Sequence, residues 1–319
     1  MTDTLPDRRQ KGRSIALPKT GEGAGRKRRP MNRHDVIAAA AFLSPFLVLT
    51  LVFQYIPLAV LARDSVHEYT LFNPEAATFV GGKNFARIFT DPDTLQSLGV
   101  TFIFMIGFLF LVVPLGLMVA VYINGKMAAR GLVRTIIFLP VVTSSVVVAT
   151  MWTFILAQTG LLNGILSSFG ISPVAFLTNK DTALVAIIVM CVWQQLGLAA
   201  VLFLGGLQSI PADVQEAAEI DGAGAFKKLV HITIPMLSRT TMLVVVMMTV
   251  FGLQAFAPAF IMTTGGPEGS TNFIMYHIYR TAFFLQDPGF ASAISIVVLL
   301  FALTISLVQM RLLKTKWNF

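Results

Sequence analysis

Ser209-Ile-Pro-Ala-Asp-Val-Gln-Glu-Ala-Ala-Glu-Ile-Asp-Gly-Ala-Gly-Ala-Phe-Lys-Lys-Leu-Val-His-Ile-Thr-Ile-Pro235 is a polar interruption between two long apolar runs. Pro211 suits a first helical position, and Asp213 favours the positive end of the same helix. Val214, Ala217, Ala218 and Ile220 supply a small apolar face, while Gln215, Glu216, Glu219 and Asp221 stay polar. Gly222 and Gly224 stop that helix, glycine being the residue that enters the left-handed region at least cost. A second short helix, about Ala225 to His231, then carries Phe226, Leu229 and Val230 on one side and Lys227 and Lys228 on the other, and Pro235 closes the unit. The pattern predicts a helix–turn–helix on a membrane surface, with small residues that let another protein come close.

The flanks set the class. Of 319 residues, 55% are hydrophobic and only 13% charged, about half the charged fraction of a soluble domain. Mean hydropathy is +0.74. Six spans are expected, at Ile37–Ala62, Gly99–Ile123, Thr135–Ala157, Thr182–Gly206, Thr240–Met262 and Gly289–Met310. At ~1.5 Å per residue each crosses a hydrocarbon core of ~30 Å. The expected organisation is therefore an all-α, six-span domain over residues 37–310, with the 207–235 unit projecting from it, a tail at 1–36 and a short carboxyl end at 311–319.

Orientation follows from Lys and Arg. With the amino terminus inside, the inner segments (the tail, 124–134, 207–239 and the carboxyl end) carry 10, 3, 3 and 3 basic residues, against 3, 1 and 1 in the outer segments 63–98, 158–181 and 263–288. Both termini and the 207–235 unit are thus expected in the cytoplasm. The net charge of +8 is concentrated in the tail and is no nucleic-acid signal. The apolar stretch after the tail is too long for a signal-peptide core, so the tail reads as a disordered topology anchor or a binder of anionic head groups. The single Cys191 excludes an intrachain disulfide and argues against a metal site.

The six spans contain no Asp, Glu, Lys, Arg or His. Proton-coupled carriers and voltage sensors place ionisable groups there, so energy is expected from elsewhere. No G-x-x-x-x-G-K-[ST] phosphate loop is present, and any ATP belongs to another subunit. No nucleophile–base–acid set stands out, which argues against an enzyme. Neutral polar groups do occur in the spans: Trp193-Gln194-Gln195 in the fourth, Gln254 in the fifth. Amides in hydrocarbon must bond to neighbouring helices or face an aqueous path. Pro45, Pro57, Pro114 and Pro140 permit kinks.

Glu216-Ala217-Ala218, then Gly222, then Ile232-Thr233-Ile234-Pro235 resembles the cytoplasmic EAA loop of ABC importer permeases. Met262-Thr-Thr-Gly-Gly-Pro267, Tyr276-His-Ile-Tyr279 and Gly289-Phe290 resemble the connection between fifth and sixth spans in the carbohydrate-uptake branch, of the maltose, multiple-sugar and glycerol-phosphate type. Val80-Gly-Gly-Lys-Asn-Phe85 resembles its first outer loop. The resemblance covers about Leu43 to Ser306. It implies a transport subunit working beside a second permease, two ATP-binding subunits holding ATP and Mg, and an extracytoplasmic solute-binding protein, with a sugar as cargo, lipid around the spans and no cofactor or metal in this chain.

By the same resemblance Glu216, Ala217, Ala218, Asp221, Gly222, Ala223, Phe226 and Pro235 carry the coupling to the ATPase. Ala217, Ala218 and Ala223 are close-packing positions, and Gly222 is the turn. Asp221 is placed to cap the second helix. Phe226 serves either as a plug into the partner or as a brace against the span ends. Gln194, Gln195 and Gln254 are candidates to line the path, or else bond between helices; Trp193 either stacks on a sugar or packs. His231 and His277 read as structural. Two rivals remain open: a glycerol-phosphate ester or polyol as cargo, and a secondary carrier or channel that needs no ATP.

Overall fold

The computed structural model describes residues 33–125 and 130–312, and the chain divides into two compact units at Tyr55 and Ile56. Most of the basic tail and of the carboxyl end therefore lies outside the described residues. The first unit holds α1 (Arg33–Thr50) and a π-helical turn, Leu51–Tyr55. Pro45 lies inside α1.

The second unit opens with α2 (Ile56–Asp64) and an antiparallel hairpin, β1 (His67–Thr70) and β2 (Asn73–Phe79), which the sequence reading does not contain. His67 pairs with Phe79 across it, and their rings meet edge to face at 5.6 Å. The hairpin is nearly all exposed, so no strong apolar alternation marks it. In α3 (Lys83–Ile88) the buried Asn84 donates from Nδ2 to the carbonyls of Ser65 and His67, both at 3.0 Å, and pins the hairpin.

The long helices start on side-chain caps. Asp91 caps α4 (Pro92–Asn124) by accepting from the Thr94 N–H at 2.9 Å, with Pro92 in the first turn. Asn179 caps α8 (Lys180–Gln208) in a similar way. Between them lie α5 (Arg130–Val142), α6 (Ser145–Leu156) and α7 (Leu161–Ser168). The third expected span is thus not one helix: it breaks at Thr143-Ser144, three residues after Pro140, where Thr143-Ser144-Ser145 interrupts the apolar run.

After α8 come α9 (Ala212–Ile220), α10 (Ala225–Lys228), α11 (Ile234–Met236) and α12 (Ser238–Leu253). The fifth expected span also stops early. Its helix ends at Leu253, and Gln254 begins an interruption before a π-helical turn, Ala259–Thr263. Then follow α13 (Ile274–Tyr279), a further π-helical turn (Arg280–Phe284) and α14 (Pro288–Leu312). Among the described residues five helices are long and apolar enough to cross a bilayer, and a sixth is counted if the bent pair Ala225–Met236 and Ser238–Leu253 is one span.

The centre is α8, two thirds of whose apolar window (67%) is buried, mainly against α4. Phe104, Phe108 and Val112 of α4 meet Ile187, Met190 and Cys191 of α8, with Val244 and Met248 of α12, in one core. In lipid, packing rather than water exclusion holds helices together, which favours small residues at contacts. A Cβ on Gly116 would lie 2.7 Å from the Cβ of Ala199, so α4 and α8 approach there only because residue 116 has none.

Candidate coupling hairpin and intramembrane cavity

The hairpin is built by its turn. Gly222 has φ +73°, and its N–H donates to the Glu219 carbonyl at 3.0 Å while the Ala223 N–H donates to Ala218 at 2.9 Å. That pair of bonds is a Schellman stop, which needs a left-handed residue between them. Asp221 is the C-cap of α9 and does not cap the second helix, whose N-cap is Gly224 without a side-chain bond. Pro211 likewise sits one position early, as the N-cap of α9. Lys228 Nζ ties the two arms together by donating to Glu219 Oε1 at 2.6 Å.

Pro235 does not close the unit. It lies inside α11, preceded by a π-helical turn over Leu229–Thr233. Proline brings no N–H to the ladder, and widening the preceding turn is one way a helix accommodates that. The chain bends by 69° at the break between Met236 and Ser238, where Leu237 is buried.

The expected single apolar face splits in two. Val214 is half-buried and Ala218 buried, four residues apart on one side. Ala217 and Ile220, three apart, face out with Glu216. Ala223 is half-buried. Ile220 is 87% exposed and Phe226 77%, so Phe226 braces nothing among the described residues. Glu216 has no ion-pair partner there either. The outward surface is two large apolar side chains beside a free carboxylate, on a turn free of nearby atoms at Gly222.

In the membrane-spanning part, Gln194 takes the interhelical role. It is buried, and its Nε2 donates to the Thr143 carbonyl at 3.3 Å and to Ser145 Oγ at 3.1 Å, holding the break between α5 and α6. Gln195 is also buried. Trp193 packs on Trp152, ring centres 5.8 Å apart. None of the three lines a cavity of about 570 Å³ whose walls include Gln254, Phe256, Tyr279, Phe283 and Ser295. Of the four path candidates only Gln254 is there, exposed at the point where α12 ends.

At the far end of α4 a buried polar cluster joins the 271–280 segment to that helix, and only its Asp91-Pro92 start is readable from sequence. Thr94 Oγ1 donates to Asp91 Oδ2 at 2.6 Å and lies 3.0 Å from His277 Nε2. A hydroxyl has one proton, so Nε2 carries the other and Nδ1 is bare, without a partner among the described residues. Burial pushes the imidazole below its ordinary 6.5; Asp91 and Asp93 oppose this, and Arg280 adds to it. Burial alone would raise the Asp91 carboxyl, but the two bonds from Thr94, with Arg87 and His277 nearby, hold it below 3.8. Asn272 Nδ2 donates to Ser97 Oγ and the Ile274 N–H to Thr101 Oγ1, both at 2.8 Å. Tyr276 is buried.

Among known proteins, the family described as binding-protein-dependent transport system inner membrane component matches residues 112–316. The "Probable ABC transporter permease protein YurN" of Bacillus subtilis (strain 168) is 36% identical over 89% of this chain and 99% of that protein. The trehalose/maltose transport system permease protein MalF of Thermococcus litoralis is 33% identical over 84% of this chain and 90% of its own. A bacterial alginate ABC transporter, solved in complex with alginate pentasaccharide-bound periplasmic protein, has a chain 26% identical, with TM-score 0.76 over 88% of this chain and 96% of that one. Those relatives are transport subunits and not enzymes. The chain is a multi-pass membrane protein and belongs to the ABC transporter permease family of binding-protein-dependent inner membrane components.

Proposed function

We propose that this permease passes a sugar into the cytoplasm, with ATP hydrolysed by a separate subunit that docks on the 207–235 hairpin. The observation that carries the reading is the hairpin's outward face: Glu216, Ile220 and Phe226 exposed around a turn that Gly222 alone makes cheap. An apolar side chain seated in a partner's pocket, with a carboxylate at its rim, is how interfaces concentrate binding energy. The basic-residue bias supports a cytoplasmic hairpin and cytoplasmic termini.

The path from hairpin to cargo is short. The hairpin joins α12 through the 69° bend, and α12 is 16 residues long, or roughly 24 Å at the usual rise. Its far end is Gln254, on the wall of the 570 Å³ cavity. Closure of two ATP-binding subunits would press two such hairpins together, one from this chain and one from a second permease. The rigid α12 then shifts the cavity wall between inward- and outward-facing positions, a two-state element biased by nucleotide. ATP and Mg belong to the partner, and a solute-binding protein delivers cargo to the outer loops.

Sugar as cargo is supported by the trehalose/maltose and arabinooligosaccharide transport named for relatives, and Gln254 and Ser295 offer an amide and a hydroxyl in a cavity walled mostly by apolar side chains, among them Leu58, Val250, Phe256 and Phe283. The spans offer no Arg to an anionic cargo. Reconstitution with the partner permease, the ATPase and the binding protein tests this. ATP-dependent accumulation of a neutral sugar is expected; accumulation without nucleotide overturns the coupling, and ATP-dependent uptake of anions alone overturns the cargo.

A further inference from the structure

Where α4 and α8 end and α5 begins, a cavity of about 260 Å³ is lined by Asn124, Gly131, Arg134 and Gln208, together with Ile123 and Leu204. On the orientation read from the basic residues, these are the cytoplasmic ends of the spans. We propose that the cavity holds the phosphate of an anionic phospholipid of the inner leaflet. The proposal rests on that orientation and not on the identity of the cargo.

The first reason is a set of unspent donors. The side chains of Asn124, Arg134 and Gln208 are exposed, and none has a hydrogen-bond or ion-pair partner among the described residues. Arg134 is the one charged residue of the lining. Residues 124–134 hold three basic residues and no acid, so the local field is positive. A guanidinium fork matches phosphate oxygens two at a time, and each amide brings an NH2 of its own. Gly131 lies in the first turn of α5, and the positive end of that helix adds to the charge of Arg134.

The second reason is the order of the walls with depth. A narrow cleft adjoins the cavity and shares Ile123, Arg134 and Leu204 with it, but its other side chains are apolar: Ile137, Phe138, Ala200 and Val201. On α5 the lining runs from Gly131 through Arg134 to Phe138, and on α8 from Gln208 through Leu204 to Ala200. Both helices therefore pass from polar at the span end to apolar further in, with Arg134 at the border. A free anion uses only the polar part. A phospholipid uses both, its phosphate on Arg134 and its first chain carbons on Phe138 and the exposed Val201.

The lining also selects among head groups. A choline or ethanolamine ammonium meets Arg134 but no carboxylate and no aromatic ring there. The hydroxyls of a phosphatidylglycerol head both donate and accept, as do the amides of Asn124 and Gln208.

Native mass spectrometry of the full-length protein, with dioleoyl-phosphatidylglycerol and dioleoyl-phosphatidylcholine added in equal amounts, tests the site. Retention of phosphatidylglycerol over phosphatidylcholine by at least roughly fivefold is expected, with a loss of similar size in Arg134→Gln. Gly131→Leu should lose it too while keeping Arg134, since a Cβ there meets no atom within 4 Å and the added bulk enters the cavity without a clash. Arg311→Gln, which removes an inner-side cation outside the lining, should change nothing; an unchanged Tm in each variant shows that the fold is kept. No preference in the wild type, or equal loss in Arg134→Gln and Arg311→Gln, overturns the proposal. Displacement of the lipid by inorganic phosphate overturns it in favour of a free-anion site. Unchanged lipid retention with weaker capture of the ATP-hydrolysing subunit in Arg134→Gln overturns it in favour of a protein contact.

Discussion

The Ala223 N–H lies 2.9 Å from the Ala218 carbonyl, and this one bond fixes where α9 ends and the second arm of the hairpin begins. It forms only if Gly222 stays left-handed. A side chain at 222 meets no atom within 4 Å, so the expected effect of substitution is conformational and not steric. Forcing an L-residue there costs about 1–2 kcal/mol, roughly 5–30-fold in the population of the correct turn. Gly222→Val should lose most uptake with insertion intact, and Gly222→Asn, which tolerates that region, should keep most of it. Equal loss in both variants, measured as uptake per inserted protein, would show that the turn is not what matters.

Phe226, at 77% exposure, supports nothing within the described chain. Phe226→Ala should leave thermal stability unchanged and weaken capture of the ATP-hydrolysing subunit at least roughly tenfold, as an interface anchor does. Glu216→Lys should act in the same direction. Pull-down of the ATPase against the tagged permease checks both; undiminished capture in the two variants contradicts the proposed docking face.

Gln194 answers a question of role. Its bonds to Thr143 and Ser145 hold the break between α5 and α6. Gln194→Leu takes the donor from a half-buried carbonyl and hydroxyl but also removes the unpaired Gln194 Oε1, for a net loss of about 1 kcal/mol. A lower Tm with an unchanged KM for cargo is expected. A raised KM at unchanged Tm would put Gln194 back among the path residues.

His277 gives the outer loop a pH dependence of known sign. Its imidazole titrates below 6.5 in the folded protein, so above 6.5 both folded and unfolded forms are neutral and the residue is silent. As pH falls below 6.5 the unfolded chain takes the proton first, and stability declines until the lowered folded value is passed. The Asp91 contribution, present above 3.8 and lost below it, acts in the same direction at lower pH. The protection factors of residues 271–280 against hydrogen exchange, which remove the intrinsic pH dependence of exchange, should fall as pH drops below 6.5, and His277→Gln, which keeps a donor for Thr94, should flatten that change.

The sequence was most readable where chemistry is local. Gly222 announces its turn, Asp91-Pro92 announces the start of α4, and uninterrupted apolar runs mark most of the spans. It was least readable where a role depends on a distant partner. Nothing near Gln194 in sequence says that its partners lie some fifty residues back, at the Thr143-Ser144-Ser145 interruption of the third expected span. Thr94 and His277 are 183 residues apart. Helical spacing does put Val214, Ala217 and Ala218 on one side of α9, but only Val214 and Ala218 find neighbours in the fold, and which part of an apolar side is covered depends on elements distant in sequence.

The side of the membrane on which the hairpin sits is the most direct test of the coupling proposal. Cys191 is the chain's one cysteine and is buried, so Ala225→Cys, exposed beside Phe226, in a Cys191→Ser background gives a single reactive site. Labelling with a membrane-impermeant maleimide should occur in inside-out vesicles stripped of the ATPase and be blocked when that subunit is added back. Labelling in intact, right-side-out cells would contradict a cytoplasmic hairpin and the coupling built on it.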